Sequence, residues 1–232
     1  MKVAVFVEGY TEQILLREFI KFYFGTRHLS FILYKLRGGN RIPVKVEIQE
    51  NFPASTGDSH NTFHIYDCGG LSTIKSMISH QRNSLSKANF DKIIGIRDVH
   101  PNKREDINKL KIDLPYKVPQ KPIPTIFLLC VMETEAWFIA DEGHFLKISK
   151  TLTHKFIFEQ TGIDIKTVDV EAFDCPSEKL NEIYSKAGEV YDKATFGSIK
   201  RTVEALDLFQ MYSELRKKIQ SLNTIISEIE QV

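Results

Sequence analysis

Short runs of apolar residues alternate with helical patterns over the first 140 or so residues of the chain. Runs rich in β-branched residues predict four strands, at residues 2–7, 64–66, 92–97 and 123–130. Apolar side chains at helical spacing predict one helix at about 12–24, capped by Thr11, and another at about 71–86. Strands that alternate with helices predict an α/β fold whose mostly parallel sheet carries helices on both faces.

Two further segments, 31–36 and 42–48, alternate between apolar and polar residues as strands do. The residues between them, Gly38-Gly39-Asn40, are typical of a turn, so the pair predicts a β-hairpin. The polar segment 51–61 contains a proline and a glycine and predicts a loop.

From about residue 142 the pattern becomes helical. It predicts four helices, near 151–161, 177–187, 198–206 and 208–230. Ser177, which follows Pro176, is predicted to cap the second of them. The last has an apolar stripe near heptad spacing, which favours packing within the chain over a dimeric coiled coil. We therefore expect an α/β core at residues 1–141 and a helical C-terminal extension, residues 142–232, packed on it.

Composition narrows the class of protein. Hydrophobic residues make up 42% of the chain and charged residues 26%, which is typical of a soluble globular protein. No apolar stretch approaches the roughly 20 residues that a membrane helix needs. We therefore expect no membrane partner. Three cysteines lie far apart and form no zinc pattern, so we expect a reducing, cytoplasmic location. The net charge of +1 gives no overall signature of nucleic-acid binding.

Acidic residues follow three of the predicted strands. Glu8 ends the first strand, Asp98 ends the strand at 92–97, and Glu133 and Glu135 follow the strand at 123–130. The carboxyl ends of parallel strands share one edge of a sheet, where ligands bind. Clustered carboxylates suit Mg²⁺ or Mn²⁺, and such ions assist phosphodiester cleavage. The alternative is that these acids only stabilise helix N-termini; it is weakest for Glu8, which ends a buried strand before Gly9.

Four motifs resemble those of Toprim-like proteins. Val7-Glu8-Gly9-Tyr10-Thr11-Glu12 is similar to their EGxTE opening, and Asp98 falls where Toprim domains place an Asp-x-Asp motif. Glu133-Thr134-Glu135-Ala136-Trp137 and Pro176-Ser177-Glu178-Lys179-Leu180, followed by Tyr191-Asp192-Lys193, resemble segments of the uncharacterised Toprim-like family numbered 4276. In order along the chain, the four motifs make this resemblance fairly specific.

The resemblance implies a three-layer Toprim-like core and metal-dependent cleavage of DNA or RNA. Glu8 would bind metal or act as general acid or base, Asp98 would be a metal ligand, and Glu133 and Glu135 would complete the site. It also implies a role in bacterial defence against phage, beside an ATPase partner protein.

One position departs from the Toprim pattern. The residue two places after Asp98 is His100 instead of a second aspartate. Histidine is a poor Mg²⁺ ligand but binds Mn²⁺, and it can act as a general base or contact a phosphate, although a lone histidine after a strand is more often structural. Because histidine replaces the second aspartate at this position, the sequence argues against a two-metal mechanism.

Lys193 either neutralises a phosphate near the acids or is a surface lysine on a helix.

Two other functions remain open at this point. The chain is alternatively a non-catalytic Toprim-like subunit that docks on an ATPase or another partner, or a different phosphoryl-transfer enzyme acting on nucleotides. Because phosphate neutralisation dominates nucleic-acid affinity, a chain of near-neutral charge is expected to bind DNA or RNA weakly when alone. A helper protein or a homo-oligomer is therefore expected.

Overall fold

The computed structural model describes residues 1–39, 42–55, 60–70 and 73–232. The chain forms two compact units. Unit 1 consists of Met1–Arg97, Asn108–Leu129 and Glu228–Val232, and unit 2 consists of Asp98–Ile107 and Cys130–Ser227. Each unit combines separate stretches of the chain, whereas the predicted division between residues 141 and 142 follows chain order; that division stays a prediction.

In the described part of the chain, unit 1 is built on a six-stranded sheet in the order β3-β2-β4-β1-β5-β6. The strands are β1 (Lys2–Val7), β2 (Leu29–Gly39), β3 (Ile42–Phe52), β4 (Asn61–Asp67), β5 (Lys92–Asp98) and β6 (Thr125–Cys130). β1 is parallel to both β4 and β5, β2 is parallel to β4, and β3 is antiparallel to β2. The predicted α/β class with a mostly parallel sheet is confirmed.

The predicted hairpin is formed by β2 and β3, which pair from Phe31 with Phe52 onwards. Both strands are longer than predicted, and the loop prediction is wrong at residues 51–52, where the stacked rings of Phe31 and Phe52 extend the pairing. It is also wrong at Asn61, which begins β4 and pairs with Leu29. Three parts of these predictions lie outside the described residues: Asn40 of the turn, residues 56–59 of the loop and residues 71–72 of the second helix.

Helices cover both faces of the sheet in unit 1. The helix α2 (Ile74–Lys87) packs with Ala4 and Phe6 of β1 in one apolar cluster. On the opposite face, Phe24 of α1 (Tyr10–Phe24) lies 5.5 Å from the ring of Phe63. The alternation of side chains along each strand therefore gives the sheet two buried faces.

The first helix begins earlier than predicted. α1 starts at Tyr10 with Gly9 as its N-cap, so the prediction of Thr11 as the cap is wrong. The reason is that Glu12 takes over the capping role, because its Oε2 accepts a 2.9 Å hydrogen bond from the Gly9 N–H.

Unit 2 is helical. The short α3 (Ile107–Asp113) lies almost entirely in unit 1. The α-helices that follow are α4 (Glu135–Ala140), α5 (Glu142–Ile148), α6 (His154–Thr161), α7 (Pro176–Ser185), α8 (Phe196–Ala205), α9 (Leu208–Gln210), α10 (Arg216–Lys218) and α11 (Gln220–Glu230). The continuous helix predicted at 208–230 is wrong: a π-helical turn occupies Met211–Leu215, and Ile219 is extended. Its apolar stripe is nevertheless buried within the single chain, as predicted. None of the helices in the described stretches is long and apolar enough to cross a membrane.

Candidate metal centre

Three acidic side chains converge in unit 2. Asp98 is the last residue of β5, and Glu133 and Glu135 flank Thr134 at the start of α4. One carboxylate oxygen from each acid lies within 4.8 Å of the others. All three side chains are almost completely buried, with at most 5% of their surface exposed. Buried carboxylates are costly unless other groups compensate their charge, so the surroundings of this cluster decide what it can do.

The backbone fixes the two segments that carry the acids. The N–H of Val99 donates to the carbonyl of Cys130 at 3.1 Å, and the N–H of His100 donates to the carbonyl of Met132 at 2.8 Å. Met132 is in the left-handed region with φ of 59°. That conformation costs a residue with a side chain about 1–3 kcal/mol, so the surrounding contacts hold this turn in place.

Neutral donors hold one oxygen of each of the first two carboxylates. Oδ1 of Asp98 accepts hydrogen bonds from both the backbone N–H and the hydroxyl of Thr134, each 3.2 Å long. Oε2 of Glu133 accepts a 2.7 Å bond from the N–H of Ser177 in the first turn of α7. The positive end of the α7 dipole also favours a carboxylate at this place.

The third carboxylate is held in the same way. Oε1 of Glu135 accepts a 2.6 Å hydrogen bond from the hydroxyl of Tyr191. Tyr191 is itself buried, and its N–H donates to the Asn181 side chain at 3.0 Å. Each acid therefore has one oxygen fixed by an uncharged partner and a second oxygen that faces elsewhere.

The remaining three oxygens face one point, and the ammonium of Lys193 lies there. Lys193 Nζ is 3.2 Å from Oδ2 of Asp98, 3.2 Å from Oε1 of Glu133 and 3.3 Å from Oε2 of Glu135. Lys193 lies in the segment between α7 and α8, not on a helix, and its side chain is about one-third exposed. One ammonium thus faces three carboxylates from the solvent side.

The charge of Glu133 reflects this arrangement. Burial opposes ionisation of its carboxyl group, but the Lys193 ammonium and the Ser177 N–H outweigh burial and hold the pKa of Glu133 below its usual value. Glu133 is therefore ionised at neutral pH despite its burial.

His100 lies at the exposed rim of the cluster. Its Nδ1 is 3.5 Å from Oε1 of Glu133, and 41% of its side chain is exposed. A histidine in this position can exchange protons with water while it contacts a site carboxylate. The structure thus brings together Asp98, His100, Glu133, Glu135 and Lys193 from the predicted set.

Glu8 is part of unit 1, where it follows β1. Its carbonyl accepts a 2.9 Å hydrogen bond from the N–H of Gly70. The proposed share of Glu8 in metal binding and catalysis stays a prediction.

Three supporting residues were missed by the sequence patterns. Thr134, Ser177 and Tyr191 supply the donors that orient the acids, and Ser177 was predicted instead as a helix cap. That prediction is wrong: α7 begins at Pro176 with Cys175 as its N-cap, which leaves the Ser177 N–H to Glu133. All three residues lie within the motifs that resemble Toprim-like segments, which indicate where they lie in the sequence but not that they donate hydrogen bonds.

Comparison with family models, with curated proteins and with solved structures finds no match for this chain.

Proposed function

We propose that this protein is a metal-dependent phosphodiesterase that cleaves nucleic acid, with Asp98, Glu133 and Glu135 as its metal ligands. The observation that carries the proposal is the convergence of three buried carboxylate oxygens on one cation position. Carboxylate oxygen is the ligand type that Mg²⁺ and Mn²⁺ prefer.

The residues present fit a divalent cation. Each acid offers one oxygen, while its other oxygen is already held by Thr134, Ser177 or Tyr191. Outer donors of this kind orient ligands and raise metal affinity. Lys193 brings one positive charge to three carboxylates, so the cluster retains negative charge that favours a divalent ion.

The residues of the chain have separate roles in the proposed reaction. A bound Mg²⁺ or Mn²⁺ supplies Lewis-acid stabilisation of charge on the phosphate and acidifies bound water. His100 accepts the proton of the attacking water, since it is exposed and lies at the rim of the cluster. The water oxygen bonds to phosphorus as the phosphodiester P–O bond breaks, and the leaving oxygen takes a proton from solvent and departs as a hydroxyl group. Lys193 neutralises a phosphate oxygen, because its flexible side chain approaches the cluster from the solvent side.

The resemblance of the four sequence motifs supports the finer assignment. We propose a Toprim-like core, similar to the uncharacterised family numbered 4276, with Glu8 as a further metal ligand or general acid or base. The proposed setting is cytoplasmic defence against phage, beside an ATPase partner. Three free cysteines in the described chain agree with a reducing compartment.

A second candidate is favoured by one specific observation. Lys193 already supplies a cation to the three carboxylates. A permanent ionic cluster of this kind would be structural, and the protein would then be a non-catalytic subunit that docks on a partner. His100, in place of the second Toprim aspartate, also agrees with this function.

Cleavage assays separate the two functions. Labelled DNA and RNA would be incubated with wild type, Asp98→Asn and Glu135→Gln, with Mg²⁺ or Mn²⁺, with and without cell extract to supply a partner. The enzyme proposal predicts metal-dependent cleavage by wild type and a loss of at least ~100-fold in both variants, a usual scale for removing a charged catalytic group.

The matched control is Glu159→Gln, which changes an exposed acid on α6 whose only ion pair in the described chain is with Lys155. It should cleave as wild type does. If wild type shows no cleavage under any condition, the binding-subunit function replaces the enzyme. If all variants cleave equally, the acidic cluster is not the catalytic site.

A further inference from the structure

β3 is the outermost strand of the sheet in the described chain, and it exposes an apolar stripe. Ile42, Val46 and Ile48 are 64%, 47% and 59% exposed, while Val44 packs partly against the core. Val44, Val46 and Ile48 alternate with Lys45 and Glu47 and so point to one face of the sheet. An exposed edge strand with apolar side chains is a template for pairing with another strand.

Lys45 and Glu47, on the other face of β3, form a self-complementary pattern of charge. Lys45 precedes Val46 and Glu47 follows it, and both charged side chains are exposed. If two copies of β3 pair antiparallel about Val46, Lys45 of each copy lies opposite Glu47 of the other. Opposite charges in such a cross-strand pair stabilise a sheet.

The same charges disfavour the neighbouring registers. Centring the pair on Lys45 or on Glu47 would place two like charges directly opposite each other, which is destabilising. Centring it on Val46 also pairs Val44 with Ile48 on the apolar face. The register about Val46 therefore satisfies the charged and the apolar face together.

Charges within the sheet support the same occupant. Lys45 is paired in register with Arg37 of β2, whose guanidinium already forms an ion pair with Asp67, and Glu47 is paired in register with Lys35. A glutamate on the outer side of Lys45 would place an opposite charge beside it. Glu47 of a second copy occupies that side in the register about Val46.

We propose that β3 pairs antiparallel with β3 of a second copy of this chain, in a two-fold symmetric dimer that joins the two sheets. Such an interface is isologous, since the same strand contributes from both copies. A single strand pair buries little surface, so the dimer is expected to be weak and concentration-dependent. This inference is independent of the chemistry at the acidic cluster.

A charge exchange tests the register. Lys45→Glu gives one variant with two acids flanking Val46, and Glu47→Lys gives another with two lysines. Sedimentation equilibrium over a wide concentration range should show dimers for wild type and monomers for each variant alone. An equal mixture of the two variants should form dimers again, because every cross-strand pair then joins opposite charges.

The mixture also guards against misfolding, since only folded variants can restore the dimer. The proposal is overturned if wild type stays monomeric at every concentration, if either single variant dimerises as wild type does, or if two folded variants, checked by circular dichroism, fail to associate.

Cross-linking gives a second measurement. In the proposed register Val46 faces its own copy, so Val46→Cys should form an interchain disulfide under mild oxidation, within the Cα separation of about 4.4–6.8 Å that disulfides need. Ile48→Cys is the control, because Ile48 faces Val44 and the two new thiols would be far apart. Equal cross-linking of the two variants would contradict the register.

Discussion

The hydroxyl of Tyr191 donates a 2.6 Å hydrogen bond to Oε1 of Glu135, and both side chains are buried. A short bond from a neutral hydroxyl to a carboxylate stabilises the ionised acid without neutralising it. It also fixes the rotation of the carboxylate, so that Oε2 faces Lys193. The hydrogen bond between Tyr191 and Glu135 thus orients the carboxylate and leaves its negative charge able to bind a cation.

Removal of the Tyr191 hydroxyl should weaken metal binding. For Tyr191→Phe we expect Mn²⁺ affinity, measured by isothermal titration calorimetry, to fall about 10- to 100-fold, the usual effect of losing an outer-sphere partner. Tyr116→Phe, which changes an exposed tyrosine, should bind Mn²⁺ as wild type does. Unchanged affinity in folded Tyr191→Phe would show that this hydroxyl does not serve the metal.

Lys193 should compete with the metal for the same oxygens. Lys193→Met leaves three buried carboxylates without their cation, and breaking a fully buried pair costs about 3–5 kcal/mol. Because Lys193 is one-third exposed, we expect a smaller loss of about 1–3 kcal/mol in the free energy of unfolding without metal. Thermal unfolding should show that Mn²⁺ stabilises the variant more than it stabilises wild type.

The control for this comparison is Lys200→Met, an exposed lysine on α8. It should change neither the stability without metal nor the response to Mn²⁺. A Lys193→Met variant that Mn²⁺ does not stabilise would count against the metal site and favour a permanent structural cluster.

The sequence predicts the acids of this site better than their partners. Asp98 directly ends a strand, and Glu133 and Glu135 open a helix just after another, so their positions follow from local patterns that parallel sheets impose. Lys193 lies about 60 residues from Glu133 and belongs to an irregular segment. Only the packing of unit 2 brings the ammonium of Lys193 next to the acids.

Local sequence patterns also gave a wrong prediction where a backbone N–H forms a hydrogen bond with a residue far away in the sequence. Ser177 follows a proline near a helix start, which favours a capping role, but its N–H is taken by Glu133, 44 positions away in the chain. Local sequence patterns also do not reveal the break in the predicted helix at 208–230. Its apolar spacing continues through Ile219, so periodicity alone does not reveal that Ile219 is extended.

The lowered pKa of Glu133 predicts how the free energy of unfolding depends on pH. Its folded-state pKa lies below the ordinary value of 4.5, so its contribution is complete above that pH and is lost as the pH falls through the folded pKa. Urea unfolding of wild type and Glu133→Gln should therefore show the largest stability difference at neutral pH. The difference should shrink in acid, and one that stays constant or grows there would contradict this assignment.

Glu8 gives a test of the resemblance to Toprim-like proteins. Glu8→Gln keeps the shape of the side chain and removes its charge, so cleavage should fall by at least ~100-fold while folding changes little. Glu105→Gln, an exposed acid, is the control and should keep full activity. If Glu8→Gln cleaves as well as wild type, the motif at the end of β1 has no catalytic role.

Anomalous diffraction from crystals soaked in Mn²⁺ shows directly whether the three acids bind a metal ion. We predict an anomalous peak bonded to Oδ2 of Asp98, Oε1 of Glu133 and Oε2 of Glu135, at about 2.1–2.3 Å, with Lys193 moved toward solvent. Lys193 would then be placed to meet a phosphate. A crystal without a peak among these oxygens, with Lys193 still in contact with all three acids, would contradict the proposed metal site.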